Sequence, residues 1–411
     1  MEELKNRPGF FLGVSNNGHF IYNSEKNLFY EVDEIFYQVL KHLSDYVDEA
    51  DIIKKLSEKY SKDKVIESLR EVSIQLQGGV LKQERIFLEE GYYLDIDVPS
   101  FPGHIDKVIE YINYFPSCKF FHINFINTNN FTDYNSINDW IDEISSIVAG
   151  TPRIISYYLI TKSDTINPDS IQDLNNNMIN LVIIVEDNTM DSGLRKIVKN
   201  SGIGLLINNW EPNWKQFITD CFNLNDNSFL YFNINGMLVD LIKMETEGLS
   251  QKIITLKNSL SQINQLFINL SSNLKKIIRI EPFYSGFHLL QGQLFKRFHC
   301  WAGRRKLYLN KGKLYPCQRL CRESEQLNSE ESLLCNFKQI QWYISDLEQK
   351  PCLNCWAKSF CGGFCRALSE YDHYHNYYCD IQKYLAQLHI NNYQKLTKVF
   401  YSESFSEQNK L

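Results

Sequence analysis

The chain has 411 residues, 44% of them hydrophobic and 22% charged, with a formal net charge of −6. That length leaves room for two or three domains and a substantial core, and the apolar share is ordinary for a soluble protein. The acidic balance argues against a general nucleic-acid binder. No apolar run approaches a membrane span, and the opening Met-Glu-Glu-Leu-Lys is not a basic-then-apolar signal segment, so a cytoplasmic location with no membrane partner is expected.

From the start, Gly18-His-Phe-Ile-Tyr-Asn and Leu28-Phe-Tyr-Glu-Val alternate around Ser24-Glu-Lys-Asn, which predicts a hairpin. Asp33 then caps a helix with Ile35, Phe36, Val39, Leu40 and Leu43 at helical spacing. Asp48 or Glu49 opens a second helix bearing Ile52, Ile53 and Leu56. A third, over 64–77, carries Val65, Leu69, Val72 and Leu76 before Gly78-Gly79 stops it and Val80-Leu81 resumes as a strand. A hairpin followed by three helices, opening on Ile-Tyr-Asn-Ser-Glu-Lys-Asn-Leu-Phe-Tyr-Glu-Val, resembles the PqqD-like recognition element of ribosomal-peptide maturation. The resemblance implies a winged-helix-like domain over 1–88 that holds a precursor's leader peptide as an added strand at a sheet edge. A winged-helix fold with a purely structural role is the alternative.

The middle, 91–285, alternates strands and helices. Strands are expected at 92–98, 120–126, 154–160, 181–185, 203–207, 229–234 and 277–280, and amphipathic helices at 137–148 and 214–222. The segment 249–276 reads as a long helix with Ile253, Leu256, Leu260 and Ile263 on one face. This rhythm predicts an α/β class with parallel strands and crossover helices, a closed or partial (β/α) barrel. Gly202 and Gly204 lie in a strand context and serve close packing.

Nine of the eleven cysteines fall between Cys300 and Cys379. Cys352-Leu-Asn-Cys355 is followed by Cys361 and Cys365, with Gly362 and Gly363 between the last two supplying unusual backbone angles. Upstream, Cys300 is separated by eleven residues from Gly312, and Gly312 by four from Cys317. Apolar and aromatic residues flank Asn310-Lys311-Gly312, which predicts a hairpin with the glycine at its turn. Four thiols so close can wrap one ion or one cluster face, so iron–sulfur and zinc both suit them, whereas disulfides need an oxidising compartment.

The full spacing, closed by Cys379, resembles the seven-cysteine SPASM domain of radical S-adenosylmethionine enzymes that modify peptides. It spans 290–385, with a C-terminal helix and tail over 386–411. The resemblance implies two auxiliary [4Fe-4S] clusters, one on Cys300, Cys317 and Cys365, the other on Cys352, Cys355, Cys361 and Cys379. For the first cluster's fourth ligand Cys321, Cys335 and His299 are candidates, or the iron keeps an open position. His373 and His375 are expected on a solvated loop rather than on a metal. Nine basic side chains and no acid lie in 296–322, which would raise a cluster's reduction potential or attract an acidic peptide.

Such an enzyme carries Cys-x3-Cys-x2-Cys after its first barrel strand and a Gly-Gly-Glu segment for the methionyl amine. Here neither is present, and before residue 299 the only cysteines are Cys118 and Cys221. The expectation is a pseudo-radical form without residues for S-adenosylmethionine. It would bind a precursor peptide and assist or carry out its modification, alone or beside a partner enzyme. Chemistry at an open first cluster and a zinc-stapled, non-redox adaptor are the alternatives. No catalytic residue is identified, and phosphate-loop, nucleophile-elbow, zincin and dinucleotide motifs are all missing.

Overall fold

The computed structural model describes residues 10–15, 18–23, 28–44, 47–77, 91–100, 104–115, 118–127, 133–162, 165–166, 179–185, 192–200, 204–207, 214–224, 229–234, 249–271, 277–291, 306–321, 352, 355–361 and 374–401. Gly78, Gly79, Val80, Leu81, Gly202, His299, Cys300, Cys335, Gly362, Gly363, Cys365 and His373 lie outside the described residues.

At the front, β1 (Phe10–Ser15), β2 (Gly18–Asn23) and β3 (Leu28–Val32) form an antiparallel sheet in that order. The expected hairpin is β2–β3; β1 is an addition, because a short apolar run such as Phe-Phe-Leu-Gly-Val-Ser has no decisive period. Three helices follow, α1 (Glu34–Ser44), α2 (Glu49–Leu56) and α3 (Lys62–Gln77). Their starts are capped by carboxylates where expected: Phe36 N–H donates to Asp33 Oδ1 at 2.8 Å, and Asp51 N–H to Asp48 Oδ1 at 2.9 Å. Ser61 performs the same office for Lys64 N–H at 3.4 Å, which starts α3 earlier than its apolar residues alone suggest. Because strand side chains alternate, β2 serves two cores. Ile21 packs with Val39, Ile52, Val65 and Val72, whereas Phe20 and Tyr22 face away towards the C-terminal helices.

The second sheet has nine strands in the order β10-β9-β8-β7-β6-β5-β4-β11-β12. The strands are β4 (Tyr92–Asp97), β5 (Phe120–Asn127), β6 (Ile154–Lys162), β7 (Ile179–Val185), β8 (Gly204–Ile207), β9 (Phe229–Asn233), β10 (Ile277–Glu281), β11 (Lys306–Asn310) and β12 (Lys313–Tyr315). From β4 to β10 every neighbouring pair is parallel, as the strand–helix rhythm predicts. Connecting helices include α4 (Ile105–Tyr114), α5 (Tyr134–Val148), α6 (Ser192–Asn200), α7 (Trp214–Leu224) and α8 (Leu249–Ser271). One face of each strand is apolar and meets these helices. Leu94, Ile96, Ile123, Phe125, Leu159, Leu181, Ile183, Phe232 and Ile280 join Val108, Ile144, Ile197, Ile218 and Leu260 in one core.

The hairpin β11–β12 forms about Lys311 and Gly312, whose φ angles of 49° and 71° suit a tight two-residue turn. Gly312 is required twice over, since an added Cβ would lie 2.6 Å from His104 Cε1. The hairpin does not stand apart in a cysteine domain: β11 runs parallel to β4, with Lys306 opposite Tyr93 and Leu309 opposite Ile96. Among the described residues, three helices follow β10, α9 (Phe283–Gln291), α10 (Lys358–Cys361) and α11 (Tyr374–Tyr401). The last begins ahead of the boundary expected at 386 and carries both His375 and Cys379, so His375 is helical rather than in a loop. Tyr378, Ile381, Leu385 and Leu388 are buried on it at helical spacing, and that periodicity starts before 386.

Candidate functional site

The other face of the curled sheet is polar. Strand register sets its rows: Asp95, Asn124, Tyr158 and Asn180 are consecutive partners across β4–β7, and Val182, Gly204, Tyr231 and Arg279 across β7–β10. All of these except Asp95, with Tyr93, His122, Ile160, Leu181, Leu206, Asn233 and Lys306, line a cavity of about 610 Å³. Gly204 lets the wall close, because a Cβ there would sit 3.1 Å from the Tyr231 ring.

Lys306 on the cavity wall is ion-paired. Asp95, only 7% exposed at its side chain, receives Lys306 Nζ at 2.9 Å and Asn124 Nδ2 at 2.7 Å. Tyr93 and His122 stack with centroids 4.6 Å apart, and Tyr158 lies 5.8 Å from the imidazole. Burial holds His122 below the ordinary histidine value, and its Nδ1 is buried with no hydrogen-bond partner. Tyr231 accepts from Asn233 Nδ2 at 3.0 Å; burial, then the Glu281 carboxylate, push its phenol far above the usual range. Tyr93 and Tyr158 add to that rise, so side chains from β4 and β6 reach across to β9. The Arg279 guanidinium lies 4.7 Å from the centre of the Tyr284 ring on α9. Sequence reading named only Gly204 and, as one of the nine basic residues of 296–322, Lys306, because no motif marks the others; the period-2 placement of polar residues in parallel strands was the available signal.

Six described thiols follow β12 along the chain. Cys355 N–H donates to Cys352 O at 3.0 Å, Lys358 N–H to Cys355 O at 3.2 Å and Cys361 N–H to Ala357 O at 3.0 Å, which winds Cys352, Cys355 and Cys361 through successive turns. Cys379 reaches this winding from α11. Burial raises its thiol pKa, the nearby Cys355 raises it further, and Lys383 opposes both. Cys317 and Cys361 pack on the main core, and Cys355 packs on the cluster that holds Phe20 and Tyr22. Cys321 takes a different setting: Asn310 Nδ2 donates to its Sγ at 3.3 Å, and it packs beside Tyr308, Tyr315 and Ile126. No disulfide joins the described cysteines. Among the described residues, no three His, Cys, Asp or Glu side chains converge as one metal ion would require. The donor set of Cys352, Cys355, Cys361 and Cys379 is all sulfur and partly buried, a chemistry common to iron–sulfur and zinc sites.

Cys118 precedes β5, its Sγ donating to Phe120 O at 3.1 Å, and Cys221 is buried among the outer helices. Of the basic residues in 296–322, Lys306 enters the cavity, while Lys311, Lys313 and Arg319 are exposed.

These features define an α/β chain with a partial parallel barrel around a polar cavity, flanked by a three-stranded sheet and a thiol region. No family model matches it, and no curated protein is similar. Among solved structures, native anSMEcpe with bound AdoMet is similar at a TM-score of 0.50 and 14% identity, over 75% of this chain and 98% of that one. Streptococcus suis SuiB follows at a TM-score of 0.40 and 14% identity, over 87% of this chain and 95% of that one. The first likeness shows the fold. Among the described residues no helix is long and apolar enough to cross a membrane.

Proposed function

We propose that this protein acts in the maturation of a ribosomally made peptide, as a barrel protein of the radical S-adenosylmethionine and SPASM type that has lost the radical cluster. It binds the precursor's leader at β1–β3 and holds iron–sulfur clusters on its C-terminal thiols. The observation that carries this reading is the direct packing of the front sheet on the thiol winding: Phe11 stacks on Trp356, and the Tyr22 hydroxyl hydrogen-bonds Ser359 Oγ. A leader added at the edge of that sheet would be delivered beside Cys355. The anSMEcpe fold supports a barrel that once served AdoMet, but the loop after β4 runs Val-Pro-Ser-Phe-Pro-Gly-His and offers no thiol to a cluster.

When bound, the clusters would supply electron relay or an anchor for substrate. Cys352, Cys355, Cys361 and Cys379 would hold one, and Cys300, Cys317 and Cys365 the other. Asn310 keeps Cys321 engaged within its own packing cluster, which favours an open iron in the three-thiol set over a fourth ligand from Cys321. The protein's own part is to bind the leader, exclude water from the thiols and set charge around them.

Two measurements test the reading. Anaerobically purified full-length protein is expected to be brown, absorbing near 400 nm with matching iron and sulfide; a colourless preparation holding only zinc would refute it. On adding a candidate leader, amide exchange in β3 or β1 should slow, as strand addition at an edge demands. Protection confined to other regions would refute leader recognition at this sheet.

A further inference from the structure

We infer that the barrel cavity binds an uncharged, flat aromatic molecule that presents an N–H donor, a ligand class that neither the front sheet nor the thiols require. Charge does not select the occupant, because acids and cations share the inner face of the sheet: Asp95, Asp97 and Glu281 stand on the same side as Lys306 and Arg279. Hydrogen-bond polarity selects it instead. Asn124 and Asn180 line the cavity and are the strand partners of Tyr158 on its two sides. Asn124 Nδ2 donates to Asp95 Oδ1 at 2.7 Å, and Asn180 Nδ2 donates to Tyr157 O at 3.1 Å. An ionised carboxylate and a backbone carbonyl only accept, so both carboxamides are fixed with nitrogen towards the protein partner. Neither Oδ1 accepts a hydrogen bond among the described residues, which leaves two acceptors flanking the Tyr158 position on the cavity wall. The same wall carries a flat aromatic surface, the stacked Tyr93 and His122 rings with Tyr158 beside them, together with apolar Val182 and Leu206. Flat ligands gain from contact with such rings. The apolar character continues outward: Phe120 and Ile154, partners at the starts of β5 and β6, share this face with His122 and Tyr158 and are 54% and 56% exposed. This rim lies at the end of the strands opposite the carboxyl ends where parallel sheets hold their cofactors. Size agrees, since about 610 Å³ falls within the range of sites that enclose small organic ligands.

The inference does not rest on the peptide reading, because none of these residues belongs to β1–β3 or to the thiol winding; either can fail alone. The test is calorimetric titration of the intact protein with indole and with benzofuran, the same bicycle with an oxygen in place of the N–H. Saturable binding of indole, at least about ten-fold tighter than benzofuran, is expected, because benzofuran leaves the carboxamide oxygens without a donor. Asn124→Ala and Asn180→Ala each remove one acceptor, and at least one of them should narrow the preference for indole while benzofuran affinity stays within about two-fold; melting curves establish that both variants are folded. A pentapeptide with a central tryptophan between glycines distinguishes the source: binding at least equal to indole makes the occupant a tryptophan side chain of a peptide, weaker binding makes it a free small molecule, and both keep the ligand class. Equal affinity for indole and benzofuran, no binding of either at about 5 mM, or an unchanged preference in both variants would overturn the assignment.

Discussion

Phe11 and Trp356 stack with ring centroids 4.6 Å apart and planes 28° from parallel, joining the first strand of the chain to the residue after Cys355. Around this pair Phe20, Tyr22, Leu290, Phe360, Ala386 and Ile390 form a core of their own. The front sheet is therefore covered on both faces, by its own helices on one side and by the thiol region on the other.

Removing either ring should loosen that junction. Phe11→Ala and Trp356→Ala are each expected to lower stability by about 2 kcal/mol, less than for fully buried rings because both are only partly covered. The double variant should lose about 1 kcal/mol less than the sum, the coupling of a stacked pair. Urea midpoints of the four proteins measure it, and strict additivity would mean the stack contributes nothing specific.

Lys306 and Asp95 make a second sharp test. Lys306→Met strands a carboxylate that is 7% exposed, with an expected loss of about 3 kcal/mol. Combining it with Asp95→Asn, which keeps the hydrogen-bonding shape without the charge, should recover most of that loss. If the double variant is as unstable as the single one, the pair is not the source of the effect.

The neutral state of His122 predicts a pH dependence. Its folded-state value is depressed by burial, so the folded protein binds the proton less readily than the unfolded chain. The associated stability is complete above about pH 6.5 and falls as pH drops through the unfolded value towards the folded one. His122→Phe, which preserves the stack on Tyr93, should flatten this part of the profile. Melting temperatures between pH 7.5 and 5 read the difference.

For the thiols, Cys355→Ala is expected to remove about half of the iron from anaerobically prepared protein if, as proposed, it belongs to one of two ligand sets. Cys118→Ser, which alters a thiol bonded to Phe120 O at the start of β5, should leave iron content unchanged. Equal loss from both would show that iron content follows folding and not ligation.

Much of the central fold was legible because parallel strands of Val, Ile, Leu and Phe alternate with amphipathic helices, and the seven expected strands of the middle segment all form. Caps at Asp33 and Asp48 were legible for the same local reason. What escaped was long-range. Nothing in Lys306-Leu-Tyr-Leu-Asn announces that it pairs with Tyr93-Leu-Asp-Ile, because a β-ladder writes no partner into either strand. The cavity escaped likewise: Arg279, His122 and Tyr231 lie far apart in sequence and meet only when the sheet curls. The cysteine spacing exposed the candidate ligands Cys352, Cys355, Cys361 and Cys379 directly, since closely spaced ligands are a local pattern.

The pairing of β11 with β4 bears on how this protein can be handled. A fragment ending after β10 would leave the outer side of β4 with bare N–H and C=O groups, an invitation to recruit another chain. The cysteine-bearing half is thus a guard for the barrel as well as its neighbour. Expressing the barrel alone should yield aggregates, and insertions are better tolerated at the exposed Lys311 turn than between the two halves.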